Sequence, residues 1–167
     1  MTIAQVVFVV ALAGVLAGVG AFGVVVLAAG AREGGGAYLT RDLARRLWRS
    51  PAERAEFQRW AFYAHRISGF AVFAFLGLHV VDVSLYAYSR GLYDQVHALY
   101  GSAPLRLFEC GLLAAILFHT FNGLRLLVVD LADLGLDAAR RALGGVVALT
   151  LVLGLAGSVV ILRPLFR

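Results

Sequence analysis

Apolar residues along the chain fall into four long runs separated by charged connections. The first run, residues 1–31, carries no charged side chain, and further apolar segments lie near 62–87, 105–129 and 142–162. Each is close to the roughly 20 residues that a helix needs to cross the hydrocarbon core of a bilayer. The pattern predicts four transmembrane helices, and hence an all-α integral membrane protein. The first run could be mistaken for a secretory signal, with Ala29, Gly30 and Ala31 resembling a cleavage site. No basic residue precedes it, however, and it is too long for the apolar region of a signal. A retained spanning helix is expected.

Composition supports the same class. Hydrophobic residues make up 61% of the chain and the mean hydropathy is +0.85, too apolar for a soluble domain of 167 residues. All 15 basic residues are arginine, and eight of them lie between Arg32 and Arg66. By the positive-inside rule that segment is cytoplasmic. Alternation then puts the N-terminus, the 88–104 loop and the C-terminus outside, and the 130–141 loop with Arg140 and Arg141 inside. Arg90, Arg106, Arg163 and Arg167 form a smaller outer group. The net charge of +5 reads as topology and attraction to anionic lipid headgroups, with no nucleic-acid partner. The single cysteine, Cys110, excludes an internal disulfide and a cysteine-only metal site.

The long polar stretch opens with a glycine hinge, Gly34 to Gly36, and continues as a helix-like run interrupted by Pro51. Leu39, Leu43, Leu47 and Trp48 form an apolar stripe with arginines opposite. This suits a helix lying on the inner membrane surface or a docking surface for a soluble partner.

His79 and His119 lie inside spanning runs, where ionisable groups are costly and point to function. At 100° per residue His65, Ser68, Val72, His79 and Asp82 share one stripe of the second span. His119, Asn122, Gly123 and Asp130 share another on the third, with Leu112 and Ile116 above it. Such stripes must face protein, cofactor or water. Neutral imidazole is the usual nitrogen ligand of haem iron, and Gly123, one turn from His119, leaves room for a flat macrocycle. The plainer alternative is a pair of histidines bonding between helices. Zinc or copper is a weaker rival, because no ligand cluster supplies three or four donors together. The chain has no nucleotide-binding signature, nucleophile constellation or carboxylate pair, so it is no enzyme by itself.

The string His65-Arg66-Ile67-Ser68-Gly69, followed in the next span by His119-Thr120-Phe121-Asn122-Gly123-Leu124-Arg125 and then Asp130, resembles the cytochrome b membrane-anchor subunits of succinate dehydrogenase, complex II. Val80-Val81-Asp82 after His79 adds a likeness to the actinobacterial branch. The resemblance implies an anchor for an iron-sulfur subunit and a flavoprotein on the cytoplasmic face, with a second membrane-anchor subunit or equivalent helices, passing electrons to a quinone, menaquinone favoured. It places His119 on haem iron and Arg66 at a quinone or a haem propionate. His65 joins the cofactor site, and Ser68, Tyr63 and Trp60 join the quinone site. The chain then divides into an extra N-terminal transmembrane helix (1–30), a cytoplasmic basic linker or interfacial helix (31–61) and a three-helix cytochrome b core (62–167).

Two features depart from the family pattern. Phe62 stands where many relatives carry a serine close to the quinone, and the first helix, with its Gly14-x-x-x-Gly18 face, is additional. Measured at 1.5 Å per residue from Tyr63 and Asp130, His79 lies about 24 Å deep and His119 about 16 Å deep. That offset of about 8 Å suits two stacked haems of b type, one on each histidine. The resemblance to dihaem anchors of the same superfamily that use menaquinone favours this arrangement; a single haem bridged by both histidines is the alternative if the helices tilt. His97 is expected at the outer surface. A haem-free structural anchor, and the cytochrome b anchor of another respiratory oxidoreductase such as fumarate reductase, formate dehydrogenase or a hydrogenase, remain as alternatives.

Overall fold

The computed structural model describes residues 1–33 and 51–166. They form α1 (Ile3–Glu33), α2 (Pro51–Tyr88), the short α3 (Arg90–His97), α4 (Ala103–Leu131) and α5 (Leu136–Leu162), closed by a 3-10 turn at Arg163–Phe166. Among the described residues, four helices are long and apolar enough to cross a membrane, over Ile3–Gly30, Phe57–Tyr88, Ala103–Leu131 and Leu136–Phe166. The sequence-predicted stripe of Leu39, Leu43, Leu47 and Trp48 lies outside the described residues. Pro51 is the first residue of α2, where its fixed φ and missing N–H suit a helix start, and the helix then runs unbroken into the second span.

The spanning helices stand in the order α1, α2, α4, α5, each packed mainly on its neighbours in that row. Val24, Phe73, Leu107 and Val152 face outward, as suits lipid or partner subunits rather than water. Where the sequence suggested only a connecting loop, α3 folds over the ends of α1 and α2. Ser89 caps it, its hydroxyl accepting from the Leu92 N–H at 3.4 Å, and Val96 inserts among Phe8, Leu12 and Leu105. Gln5 Nε2 donates to the Gln95 carbonyl at 2.9 Å, and Tyr100 O–H donates to Asp82 Oδ2 at 2.8 Å. Burial first, and then the Asp82 carboxylate, push the Tyr100 hydroxyl well above the ordinary phenol range, so it stays a donor.

The α4–α5 pair is clamped at both ends by an arginine of α4 on a carbonyl of α5. Arg106 Nη1 donates to the Ile161 carbonyl at 2.7 Å, and Arg125 Nε and Nη2 both donate to the Ala139 carbonyl, at 3.1 and 2.9 Å. Between these clamps Leu143 is fully buried. The connecting turn needs a left-handed residue, supplied by Asp133 at φ 47°, a conformation that aspartate tolerates better than most side chains. Arg125, the last residue of the third-span motif, is therefore a structural clamp, only 8% exposed.

Arg125→Met keeps the apolar stem but removes both bonds. It is expected to forfeit about 1.5–3 kcal/mol of charged hydrogen bonding. For a chain of this size that is about 2–4 °C of melting temperature per kcal/mol, read by circular dichroism of the detergent-purified protein. An unchanged midpoint would show that the clamp contributes nothing.

Candidate functional site

The site is built where α2 crosses α4. Each helix brings a histidine followed four residues later by a glycine, His65 with Gly69 and His119 with Gly123, and a spacing of four puts both on one face. The pairs interlock. A Cβ on Gly69 would stand 2.6 Å from His119 Cε1, too close to coexist with the ring, and a Cβ on Gly123 would stand 3.4 Å from His65 Cε1. Each glycine thus makes room for the opposite helix's imidazole. The two rings lie face to face, 4.1 Å apart and 4° from parallel. Gly123, expected to clear space beside His119, accommodates His65 instead.

Polar contacts hold the stack. His119 Nδ1 lies 3.1 Å from the His65 carbonyl and 3.4 Å from Ser68 Oγ, while the Ser68 hydroxyl donates to the same carbonyl at 3.0 Å. His65 Nδ1 is buried with no hydrogen-bond partner among the described residues. Such a group calls for a partner from elsewhere.

Beside this stack lies a cavity of about 1050 Å³ between α1 and α2, with His119 of α4 in its wall. His65, Arg66 and Tyr63 line it, so four of the sequence-predicted site residues converge there. The Arg66 guanidinium lies 4.2 Å from the centre of the Phe62 ring, a cation–π contact. Phe62, the departure from the family pattern, thereby steers Arg66. Trp60 and Ser68 are not in the wall. Trp60 meets Tyr63 edge-on at 6.1 Å, and Ser68, buried, stands behind His119.

His79 is not part of this constellation. Its ring is exposed and stacks on Phe75 at 5.8 Å. The depth estimate for His119 is also corrected. Stacking makes His119 level with His65, and His79 stands 14 residues, about 21 Å, further along α2. The estimate of about 8 Å assumed that Tyr63 and Asp130 mark the same membrane level. They do not: with His119 level with His65, Asp130 lies about 16 Å beyond that level along α4, whereas Tyr63 lies about 3 Å from it along α2.

Several wall residues escaped the sequence analysis. Phe22, Val26 and Gly30 of α1 form one side, Phe22 stacking on Phe70 at 4.5 Å, and a side chain on Gly30 would collide with the Tyr63 ring. Gln58 and Arg59 add a polar edge. An apolar helix gives no sign of which of its residues will face a cavity. Gly69, in contrast, had a signal, since it repeats in α2 the His-x-x-x-Gly spacing of α4. Around Gly14 and Gly18 nothing among the described residues lies within 4 Å of where a Cβ would stand.

Residues 40–157 match the family model described as succinate dehydrogenase/fumarate reductase transmembrane subunit. The chain is similar to the succinate dehydrogenase 2 membrane subunit SdhC of Mycobacterium tuberculosis, 42% identical over 71 residues, covering 42% of this chain and 52% of that protein. It is also similar to the succinate dehydrogenase hydrophobic membrane anchor subunit of Halobacterium salinarum, 35% identical over 98 residues, covering 58% of this chain and 75% of that protein. The chain thus spans about half the length of the mycobacterial relative, and α1 precedes the part that the family model matches. With four candidate spans and the two His-x-x-x-Gly segments inside the matched region, the chain belongs to the family of succinate dehydrogenase/fumarate reductase transmembrane subunits.

Proposed function

We propose that the chain is the membrane-anchor cytochrome b subunit of a succinate:quinone oxidoreductase, carrying electrons from an iron-sulfur subunit to a quinone, menaquinone favoured. It sits in a bacterial cytoplasmic membrane with its N-terminus outside, and with the iron-sulfur and flavoprotein subunits on the cytoplasmic side. The observation that carries this reading is the convergence of His65, Arg66, Tyr63 and His119 on one large cavity in a chain of this family. The division into an extra helix (1–30), a basic linker (31–61) and a cytochrome core (62–167) belongs to the same proposal.

The residues fit the groups the family implies. The cavity, about 1050 Å³, is at the top of the range for small-molecule sites, about 300–1,000 Å³, and imidazoles stand in its otherwise mostly apolar wall. His119 would hold one haem b and the exposed His79 a second. A second membrane subunit or equivalent helices would complete each site. Two haems are favoured over one bridged by both histidines, because a displacement of about 21 Å along α2 does not let both rings reach one iron. When bound, haem b supplies a one-electron relay between the iron-sulfur centre and the quinone.

The chain's own residues bind and orient. Arg66 and Tyr63 bring N–H and O–H donors to the cavity, suited to a quinone carbonyl or, for Arg66, a haem propionate. Phe62 fixes the guanidinium from below, and Trp60 braces the Tyr63 ring. The apolar walls from α1 and α2 take the quinone's hydrocarbon and exclude water, which strengthens each hydrogen bond inside.

Reduced-minus-oxidised spectra of the purified complex, with haem quantitation, test the ligand assignment. His119→Ala and His79→Ala are each expected to lose one b haem; no loss in either variant would reduce the chain to a haem-free anchor. Gly69→Ala should deplete the same haem as His119→Ala, since the new methyl occupies the place of the His119 ring; full retention would show that the ring can move aside. Arg66→Leu is expected to raise the KM for quinone about tenfold, the size of one charged hydrogen bond, while succinate oxidation with a soluble dye acceptor stays unchanged. A parallel loss of both activities would place Arg66 in assembly instead.

A further inference from the structure

His119 is held by more than its helix. Its Nδ1 faces two oxygens of α2, the His65 carbonyl at 3.1 Å and Ser68 Oγ at 3.4 Å, and the Ser68 hydroxyl donates to that same carbonyl at 3.0 Å. A carbonyl oxygen only accepts, and the Ser68 proton is already directed to it. Nδ1 must therefore carry the ring proton, which leaves Nε2 with the lone pair in the neutral imidazole. The contact cannot relax by rotation of the ring, because Gly69 lies against one side and the His65 ring covers a face.

We propose that Ser68 is a positioning residue that tunes His119: by sharing the His65 carbonyl with His119 Nδ1–H, its hydroxyl limits how strongly that carbonyl draws on the imidazole proton, and so sets the electron-donating strength of Nε2. The partner of a ligating imidazole's second N–H orients the ring and raises its basicity. A carbonyl that accepts two donors is a weaker acceptor for each. Removing the hydroxyl hands the whole carbonyl to Nδ1–H, making Nε2 more basic and favouring an oxidised metal bound to it. The longer Ser68 Oγ contact, at 3.4 Å, is near the limit of a hydrogen bond, and its loss is the smaller effect.

This inference rests on the proposed role of His119, and its test separates the two. Haem midpoint potentials would be measured by redox titration of the purified complex for wild type, Ser68→Ala, Ser68→Thr and Ser68→Cys. Ser68→Ala is expected to keep its haem content and to shift one haem, the one lost in His119→Ala, to a lower potential. Ser68→Thr, which keeps the hydroxyl, should restore the wild-type value, and Ser68→Cys, a weaker donor, should fall between. Should Ser68→Ala fail to assemble, the shift in Ser68→Cys and its absence in Ser68→Thr carry the test. Unmoved potentials, or a threonine variant shifted as far as the alanine one, would overturn the tuning role while leaving His119 a ligand. Retention of every haem in His119→Ala would instead overturn the ligand role itself.

Discussion

The contact on which the rest of the molecule depends is the interlocking of His65 and His119 with the two glycines at the crossing of α2 and α4. In hydrocarbon there is no water to satisfy an imidazole, so a histidine at this depth needs a partner from the protein or from a bound group. The glycines let the two backbones approach until one ring stacks on the other and His119 reaches the His65 carbonyl. That single crossing fixes the register of the helices. It puts Arg66 and Tyr63 beside the stack and leaves His79 about 21 Å away along the same helix.

The neighbouring helices divide the remaining work. The pair α4 and α5 is closed by two arginine-to-carbonyl clamps and a buried leucine seam, so this half is a firm support for His119. On the other side α1 packs mainly on α2 within the spanning row, and the space between them is not filled by side chains. The cavity is the result. Its polar groups come from the segment that the family model matches, whereas a large part of its apolar wall comes from α1, which precedes that segment. The same fold thus combines a shared polar centre with an additional wall.

Two charged groups away from the centre also have structural partners. Asp82, on the stripe that pointed to a cofactor, is tied to Tyr100, and Arg125, within the motif, is tied to α5. Position in a motif or on a stripe marks a residue as constrained without saying by what. In both cases the constraint is the cost of burying a charge, met by a hydrogen bond between the charged group and a distant part of the chain.

Arg66 and Tyr63 entered through the resemblance of their segment to a family, whereas four spans, the membrane class and the polar stripes that carry His65 and His119 were legible in the sequence itself. The latter follow from run length, from the 3.6-residue period and from the rarity of ionisable groups in apolar segments, all of which are local properties. The relative depth of His119 and His79 was not legible, because it depends on the level at which α4 crosses α2. Nor was the share of α1 in the cavity wall, since a uniformly apolar helix shows no preferred face. The tertiary structure decided both, through helix register and side-chain packing between segments that are far apart in the chain.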